Sequence, residues 1–162
     1  MKAAFLDRDG VINEDYGYIS KIEDITFTPG IFELLRLLRD KGFELFIVTN
    51  QSGIARGYYT EDDFRRLMTW LIHELETKGI VIRDYAYCPH HPEIDGECRC
   101  RKPAPGMILD LAAKYAIDLE ASLVIGDKVS DIQAGERAGV ATNILVEDGV
   151  SDVLARIEKE YA

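Results

Sequence analysis

Short apolar runs alternate with amphipathic stretches along the 162-residue chain. Five runs have the length and composition of buried strands, at residues 3–6, 44–48, 84–87, 122–125 and 142–146. Helical periodicity falls between and after them, at residues 30–41, 60–78, 105–116, 130–138 and 151–161. This alternation is typical of α/β proteins whose parallel sheet is covered on both faces. We therefore expect a Rossmann-like three-layer sandwich with a mainly parallel central sheet, built by residues 1–162 as one domain.

The stretch at residues 60–78 has the clearest helical pattern. Thr60 can cap its start, acidic residues fill its first turn, and Gly79 ends it. Its apolar residues recur at helical spacing and form one stripe: Phe64, Leu67, Met68, Leu71, Ile72 and Leu75.

Composition narrows the classes of partner. The chain is 47% hydrophobic and 30% charged, as in ordinary globular proteins, and its net charge is -10. This charge argues against binding nucleic acid or an anionic membrane surface, because both require a basic surface. No apolar run approaches the ~20 residues that span a bilayer, and no signal-peptide pattern precedes the first strand. We expect a cytoplasmic, monomeric enzyme that acts on a small molecule.

Two carboxylates directly follow the first apolar run. Asp7 and Asp9 are separated by one residue, and Gly10 comes next. Clustered negative charge at the end of a buried strand is costly unless a cation lies there, so a divalent metal and a phosphoryl group are expected. In that interpretation Asp7 attacks phosphorus as the nucleophile, and Asp9 is the general acid and base. An ordinary turn or helix cap explains an isolated Asp-x-Asp equally well.

A polar segment after the second strand and a later basic pair supply donors for a phosphate. The Thr49 hydroxyl and nearby backbone N–H groups can hold phosphate oxygens. Lys102 offers a point charge to the transferring group, and Arg101 offers a planar fork to a second anionic or hydroxyl group. Taken alone, an ordinary polar turn and a solvated basic pair are the simpler explanations.

A further acidic motif follows the fourth predicted strand. Asp127 can complete a carboxylate set around Mg²⁺, a hard cation that prefers oxygen ligands. Asp131 can support this set from outside the ion's ligands or orient Lys102. In isolation a capped helix start is also a reasonable explanation. Together the motifs are stronger, because each follows a strand or precedes a helix and they supply complementary parts of one phosphoryl-transfer site.

All three cysteines fall in a segment at residues 88–100, together with two histidines. The candidate ligands of a tetrahedral Zn²⁺ ion are Cys88, His90, Cys98 and Cys100. His91 can replace His90 in this set. Four protein ligands leave no open position, so we expect a structural zinc that fixes the following Arg101 and Lys102. Free thiols on a surface loop are the alternative, and an odd cysteine count argues against a secreted disulfide framework.

With these motifs the chain resembles the haloacid dehalogenase superfamily of phosphohydrolases. The four motifs of that superfamily match Asp7-x-Asp9, Thr49, Lys102, and Asp127 with Asp131. The resemblance covers nearly the whole chain and implies an aspartyl-phosphate intermediate on Asp7, with Asp9 as acid and base. It also implies a catalytic Mg²⁺ held by Asp7, Asp127 and the Asp9 backbone carbonyl. No segment between the motifs is long enough for an inserted cap domain.

The zinc segment narrows the resemblance to the D-glycero-D-manno-heptose 1,7-bisphosphate 7-phosphatase family. The matching segments are residues 5–10, 15–18, 49–57, 88–92, 98–103 and 126–128. The resemblance implies removal of the 7-phosphate during biosynthesis of the heptose of bacterial cell-surface polysaccharides. It implies substrate contacts at Asp15, Tyr16, Gly17, Tyr18, Thr49, Asn50, Gln51, Ser52, Arg101, Lys102 and Lys128. The connection at residues 93–97 is shorter than in many relatives, which leaves the substrate preference open.

Other functions remain open on the sequence. A histidinol-phosphate phosphatase, or another small sugar-phosphate phosphatase, is the nearest, although a cationic imidazole substrate would not benefit from Lys128. We hypothesise that Lys128 and Arg101 recognise the second phosphate of a bisphosphate. A polynucleotide phosphatase is disfavoured by the net charge of -10. A non-enzymatic, zinc-stabilised phosphosugar-binding module would not need both Asp7 and Asp9.

Overall fold

A five-stranded sheet forms the centre of the computed structural model, which describes residues 1–162. In chain order its strands are β1 (Ala3–Leu6), β2 (Glu44–Asn50), β3 (Ile82–Cys88), β4 (Leu123–Gly126) and β5 (Thr142–Leu145). All neighbouring strands are parallel, in the order β3-β2-β1-β4-β5. The chain thus builds outward from β1 in one direction and then in the other. In such sheets ligands bind beyond the carboxyl ends of the strands at this reversal, which here lies next to β1.

Six helices accompany the sheet. They are α1 (Ile31–Asp40), α2 (Glu61–Thr77), α3 (Pro92–Asp95), α4 (Gly106–Tyr115), α5 (Val129–Ala138) and α6 (Val150–Glu160). The five predicted helices are confirmed, and no end shifts by more than one residue. The single turn α3 was not predicted and falls within the cysteine- and histidine-rich segment. No helix is long and apolar enough to cross a bilayer.

The strands β2 and β3 extend beyond their predicted bounds. Their parallel ladder continues through the polar Thr49 and Asn50, which pair with Tyr87 and Cys88. The apolar pattern stops earlier than the ladder because backbone hydrogen bonds do not depend on side-chain polarity. These extra residues carry the polar end of β2 up to the edge where the motifs gather.

Two apolar clusters lie on opposite faces of the sheet. One joins Ala4 and Leu6 of β1 to the buried faces of α1, α2 and α6, and the other joins Ala3 and Phe5 to α4 and α5. Successive strand residues point to opposite faces, so both faces of β1 are buried. The expected three-layer sandwich is therefore confirmed.

The helix α2 begins and buries itself as its pattern predicts. The Thr60 hydroxyl accepts a hydrogen bond from the Asp63 N–H at 3.0 Å, and the Asp63 carboxylate accepts one from the Thr60 N–H at 3.0 Å. The stripe is buried apart from Ile72, which is partly buried. This packing places the first turn of α2, and Tyr59 before it, beside the end of β1.

Close backbone approach at the end of β1 requires Gly10. Its φ of +91° lies in the left-handed region, and a side-chain carbon at this position would lie 2.0 Å from the Asp127 Oδ2 atom. Any larger residue would collide with that carboxylate. The glycine therefore lets the loop after β1 pack against the loop after β4.

Candidate active site

The predicted motifs come together at the carboxyl edge of the sheet. Asp7 and Asp9 follow β1, the polar segment ends β2, Asp127 follows β4, and Asp131 lies in the first turn of α5. Lys102 reaches the same point from the loop before α4. The fold thus converts motifs spread over more than 120 positions of the sequence into one site.

Lys102 lies at the centre of this site. Its Nζ atom donates hydrogen bonds to Asp7 Oδ1 at 3.0 Å, Asp131 Oδ1 at 2.7 Å and the Val48 carbonyl at 2.6 Å. The side chain is almost wholly buried. Burial alone lowers the pKa of the Lys102 amine, but the charges of Asp7 and Asp131 outweigh it and raise the pKa above its ordinary value. Lys102 is therefore a fixed cation with all three donors directed.

Desolvation has the largest effect on the pKa values of two carboxyl groups in this site, Asp7 and Asp127. Desolvation raises the pKa of Asp7 to about 7, although the positive charge of Lys102 opposes the shift. Desolvation also raises the pKa of Asp127, against the opposing charge of Lys128. Both groups are therefore harder to ionise than ordinary aspartates, and a bound cation would relieve this cost.

The arrangement of carboxylate oxygens fits a metal ion. Ligand atoms of Asp7, Asp127 and Asp131 lie within 4.8 Å of one another. The Asp127 Oδ1 atom is buried and has no hydrogen-bond partner. Both oxygens of Asp131 are engaged, by Lys102 Nζ at 2.7 Å and by the Lys128 N–H at 3.1 Å. The oxygens of Asp7 and Asp127 are thus the better candidates for ligands, with Asp131 holding Lys102.

The charge balance also fits a divalent cation. Two buried cations, Arg8 and Lys102, face the four carboxylates of Asp7, Asp9, Asp127 and Asp131. The partly exposed Lys128 faces Asp15, with 3.7 Å between Nζ and Oδ2, so this pair adds no net charge. When all these groups are ionised, an excess of two negative charges remains. An ion such as Mg²⁺ neutralises this excess with the oxygen ligands that it prefers.

The Asp9 carboxylate is not part of the cluster formed by the oxygens of Asp7, Asp127 and Asp131. Its Oδ1 atom accepts hydrogen bonds from Arg8 and Asn13, and its Oδ2 atom accepts one from Gln51. Sequence reasoning singled out neither Arg8 nor Asn13, nor Tyr59, whose hydroxyl donates to Gln51. Arg8 lies between the two motif aspartates, and an arginine flanked by a buried strand and acids was the available signal.

Thr49 and Asn50, at the polar end of β2, make different contacts in the site. The Thr49 hydroxyl is buried and accepts a hydrogen bond from Gln51 Nε2 at 2.9 Å. Asn50 grips the loop of Lys102, because its Oδ1 atom accepts the Lys102 N–H at 3.1 Å and its Nδ2 atom donates to the Lys102 carbonyl at 3.4 Å. Part of this segment therefore holds Lys102 in place.

An open cavity of about 550 Å³ lies against the site. Its lining includes most predicted substrate contacts: Asp15, Gly17, Tyr18, Asn50, Gln51, Ser52, Arg101, Lys102 and Lys128. Tyr16 lies outside the lining, is 67% exposed and donates a hydrogen bond to Glu14 at 3.2 Å. A second cavity of about 690 Å³ shares only Tyr59 with the first and contains none of the motif residues.

The cysteine- and histidine-rich segment also converges. Ligand atoms of Cys88, His90, Cys98 and Cys100 lie within 4.8 Å of one another. In the structure the sulfur atoms of Cys88 and Cys100 are bonded, and Cys98 is a free thiol. Three thiol donors and one imidazole fit a tetrahedral zinc, which would use the same sulfurs as thiolates. The disulfide and the metal are therefore exclusive alternatives at Cys88 and Cys100.

His91 is committed elsewhere. Its Nδ1 atom accepts the Glu93 N–H at 3.1 Å at the start of α3, and its Nε2 atom lies 2.7 Å from Arg56 Nη2. The His90 Nδ1 atom, in contrast, lies 3.5 Å from Cys88 Sγ and 3.3 Å from Cys100 Sγ. This geometry favours His90 over His91 as the fourth ligand.

Comparison with known proteins places this fold and site in a class. The family Hydrolase_like, described as HAD-hydrolase-like, matches residues 99–161. A crystal structure of D,D-heptose 1,7-bisphosphate phosphatase from B. bronchiseptica, complexed with magnesium and phosphate, aligns with a TM-score of 0.87 and 29% identity over 99% of each chain. The chain is accordingly a phosphatase of the haloacid dehalogenase superfamily, and thus a phosphoric monoester hydrolase.

Two relatives from Photorhabdus laumondii narrow the class. A D-glycero-alpha-D-manno-heptose-1,7-bisphosphate 7-phosphatase is 49% identical over 154 residues, which cover 92% of this chain and 84% of the relative. A D-glycero-beta-D-manno-heptose-1,7-bisphosphate 7-phosphatase is 45% identical over 152 residues, which cover 91% and 81%. The chain belongs to the heptose-1,7-bisphosphate 7-phosphatase family, as its motifs predicted.

Proposed function

We propose that this chain hydrolyses the 7-phosphate of D-glycero-D-manno-heptose 1,7-bisphosphate through a Mg²⁺-dependent aspartyl-phosphate mechanism. The observation that carries the proposal is the buried Lys102, which donates to Asp7 at 3.0 Å and to Asp131 at 2.7 Å. This lysine fixes one oxygen of Asp7 and leaves the other, Oδ2, as the nucleophile. It also supplies a cation beside the transferring group.

Asp7 and Asp9 share the chemistry in two steps. In the first, Asp7 Oδ2 forms a bond to phosphorus as the bond to the sugar oxygen breaks, and Asp9 protonates the departing oxygen. In the second, Asp9 takes a proton from water, whose oxygen attacks phosphorus and releases inorganic phosphate from Asp7. Each step restores the protonation state that the other requires.

The proposed Mg²⁺ site consists of Asp7, Asp127 and the Asp9 backbone carbonyl. When bound there, the ion would neutralise negative charge on the transferring group. The unpartnered Asp127 Oδ1 atom and the excess of two negative charges support this assignment. Lys102, which is held by Asp131, would keep Asp7 oriented both with and without the bound metal ion.

A structural Zn²⁺ at Cys88, His90, Cys98 and Cys100 is the second proposed metal. Residues 92–97 are all exposed, so this segment has no apolar core to order it. Arg101 continues directly from it, since its backbone N–H lies 3.4 Å from Cys98 Sγ and its Nη1 atom donates to the His90 carbonyl at 3.3 Å. The zinc would thereby set the direction of Arg101 at the cavity.

Arg101 and Lys128 are the proposed contacts of the second phosphate. Both line the cavity, and the Lys128 amine is held loosely, 3.7 Å from Asp15 and 3.9 Å from Asp127. A cation without a close partner can turn toward an arriving anion at little cost. We also propose that residues 1–162 form one domain and that the enzyme is a monomer.

The decisive experiment is phosphate release from both heptose bisphosphate anomers, histidinol phosphate and fructose 1,6-bisphosphate, with Mg²⁺ and with a chelator. We expect Mg²⁺-dependent release with the highest kcat/KM for a heptose bisphosphate. Faster turnover of histidinol phosphate would assign the chain to that reaction, and saturable binding without release would make it a binding module. Lys128→Ala and Arg101→Ala should reduce discrimination between bisphosphate and monophosphate sugars, and unchanged discrimination would remove their proposed role.

A further inference from the structure

The Asp9 carboxylate is held asymmetrically. Its Oδ1 atom accepts three hydrogen bonds, from Arg8 Nε at 3.0 Å, Arg8 Nη2 at 2.9 Å and Asn13 Nδ2 at 3.0 Å. Its Oδ2 atom accepts only one, from Gln51 Nε2 at 3.2 Å. An oxygen with three donors has no room for a proton, whereas Oδ2 has a free lone pair. Oδ2 is therefore the oxygen through which Asp9 can give or take a proton.

The Arg8 side chain is held in place by burial and by several contacts. It is fully buried, and Asp9 is its carboxylate partner. Its Nη2 atom also donates to the Ile19 carbonyl at 2.9 Å, and its guanidinium lies 5.8 Å from the centre of the Phe64 ring. These contacts pair the buried guanidinium through its Nε and Nη2 atoms. Its position, and with it that of Asp9 Oδ1, is set by the apolar core under α2.

Tyr59 orients the other oxygen of Asp9, Oδ2, indirectly through Gln51. Its hydroxyl donates to Gln51 Oε1, and both side chains are buried. The opposite orientation of the Gln51 amide would point its oxygen at the Asp9 carboxylate, which is repulsive. With Oε1 held by Tyr59, the amide nitrogen faces Asp9 Oδ2 at 3.2 Å and Thr49 Oγ1 at 2.9 Å. Burial raises the pKa of Tyr59 to about 12, so the hydroxyl keeps its proton.

We infer that Arg8 and Tyr59 are positioning residues for proton transfer by Asp9. Arg8 fixes Oδ1, and Tyr59, acting through Gln51, aims Oδ2 at the oxygen of the leaving group. In the first step the Oδ2–H bond breaks as the proton passes to the sugar oxygen, whose bond to phosphorus breaks at the same time. In the second step Oδ2 regains a proton from the attacking water. This inference rests on the proposed phosphatase function.

Tyr59→Phe tests the inference with the smallest structural change. It removes one hydroxyl, and its matched control is Tyr85→Phe, because Tyr85 is a partly buried tyrosine and its hydroxyl makes no hydrogen bond in the structure. The substrates are chosen by leaving group. A heptose bisphosphate loses an alkoxide that needs a proton, whereas p-nitrophenyl phosphate and acetyl phosphate lose groups that depart without one.

We expect Tyr59→Phe to lower kcat/KM for the heptose bisphosphate by about tenfold and to leave that for the activated phosphates within about twofold. Arg8→Lys, which keeps the charge but not the two-point contact, should show the same selectivity with a loss of about 100-fold. Equal losses on both kinds of substrate, or no loss in Tyr59→Phe, would overturn the inference. Thermal unfolding of each variant shows whether it folds normally. If Arg8→Lys has a folding defect, the kinetics of Tyr59→Phe alone decide whether the inference holds.

Failure of the inference can be told from failure of the proposed function. If the unaltered protein releases no phosphate in the presence of Mg²⁺, the proposed function is wrong. If it is active but Tyr59→Phe matches Tyr85→Phe on every substrate, the function stands and only the positioning role is lost.

Discussion

The carboxylate centre and the cysteine- and histidine-rich segment lie side by side, but they are held in opposite ways. In the centre, Asp7, Lys102 and Asp131 are buried at the carboxyl edge of the sheet, and Lys102 pairs with both aspartates. In the segment, residues 92–97 between the candidate zinc ligands are exposed and α3 is a single turn. The sheet therefore supplies the geometry of the first region, whereas covalent or metal bonds must supply that of the second.

This difference separates what each metal does. The proposed Mg²⁺ would enter a site that the fold has already built, so its removal should abolish chemistry and leave structure. The proposed Zn²⁺ would order a segment that cannot order itself, so its removal should change structure first and chemistry through Arg101.

The largest effect is expected in the centre. Asp7→Asn removes the proposed nucleophile and should reduce heptose bisphosphate hydrolysis by about 10⁴-fold or more. Stability should change little, because Lys102 keeps its hydrogen bonds to Asp131 and the Val48 carbonyl. Kinetics and thermal unfolding measure both quantities, with Asp40→Asn at an exposed position of α1 as control. Turnover at the parental rate would rule out an aspartyl-phosphate on Asp7.

An intermediate effect is expected in the segment. Cys98→Ser removes a proposed zinc ligand but leaves Cys88 and Cys100 intact, so zinc content should fall from about one ion per chain to near zero. Hydrolysis should fall by about 10- to 100-fold as Arg101 loses its support. Metal analysis, thermal unfolding and kinetics check these outcomes. His91→Ala is the matched control, because His91 lies outside the ligand cluster and should keep the zinc.

The same variant separates zinc from a disulfide. If a Cys88–Cys100 disulfide holds the segment, Cys98→Ser will leave thermal stability and activity unchanged, and a reducing agent will destabilise the protein. If zinc holds the segment, a reducing agent will leave thermal stability unchanged and a strong chelator will destabilise the protein. If neither Cys98→Ser nor the chelator changes stability or activity, the zinc proposal is wrong.

The smallest effect concerns protons that compete with Mg²⁺. Burial raises the pKa of Asp7 to about 7 in the metal-free protein and raises that of Asp127 as well. A protonated carboxyl does not bind the ion, so affinity should be full above pH 7 and should weaken by about tenfold per pH unit below it. Calorimetric titration with Mg²⁺ at several pH values measures this slope. Constant affinity between about pH 5.5 and 8 would contradict it.

Much of this site is predictable because its residues follow recognisable strands. The run before Asp7 and the run before Asp127 are short and apolar, and parallel strands end at one edge of a sheet. Those two facts predict that the acidic motifs meet at one edge of the sheet. The cap of α2 at Thr60 and its apolar stripe are equally local and were equally predictable.

The partners of Asp9 were not predictable in the same way. Arg8, flanked by two aspartates, looks like a solvated basic residue, yet it is the largest fully buried side chain. Tyr59 precedes a helix cap and resembles its exposed neighbour Tyr58 in the sequence. Nothing in periodicity distinguishes the two, because a hydrogen bond to Gln51 depends on how α2 packs beside β2.

Local patterns in the sequence predict the succession of strands and helices along the chain, the candidate reacting groups and the clustering of candidate metal ligands. The tertiary structure decided which polar groups meet. Lys102 contacts Asp7 across 95 positions of the chain, and Gln51 contacts Asp9 across 42. Such contacts arise from the strand order of the sheet, and their pairing follows from the requirement that buried charges and amides find partners.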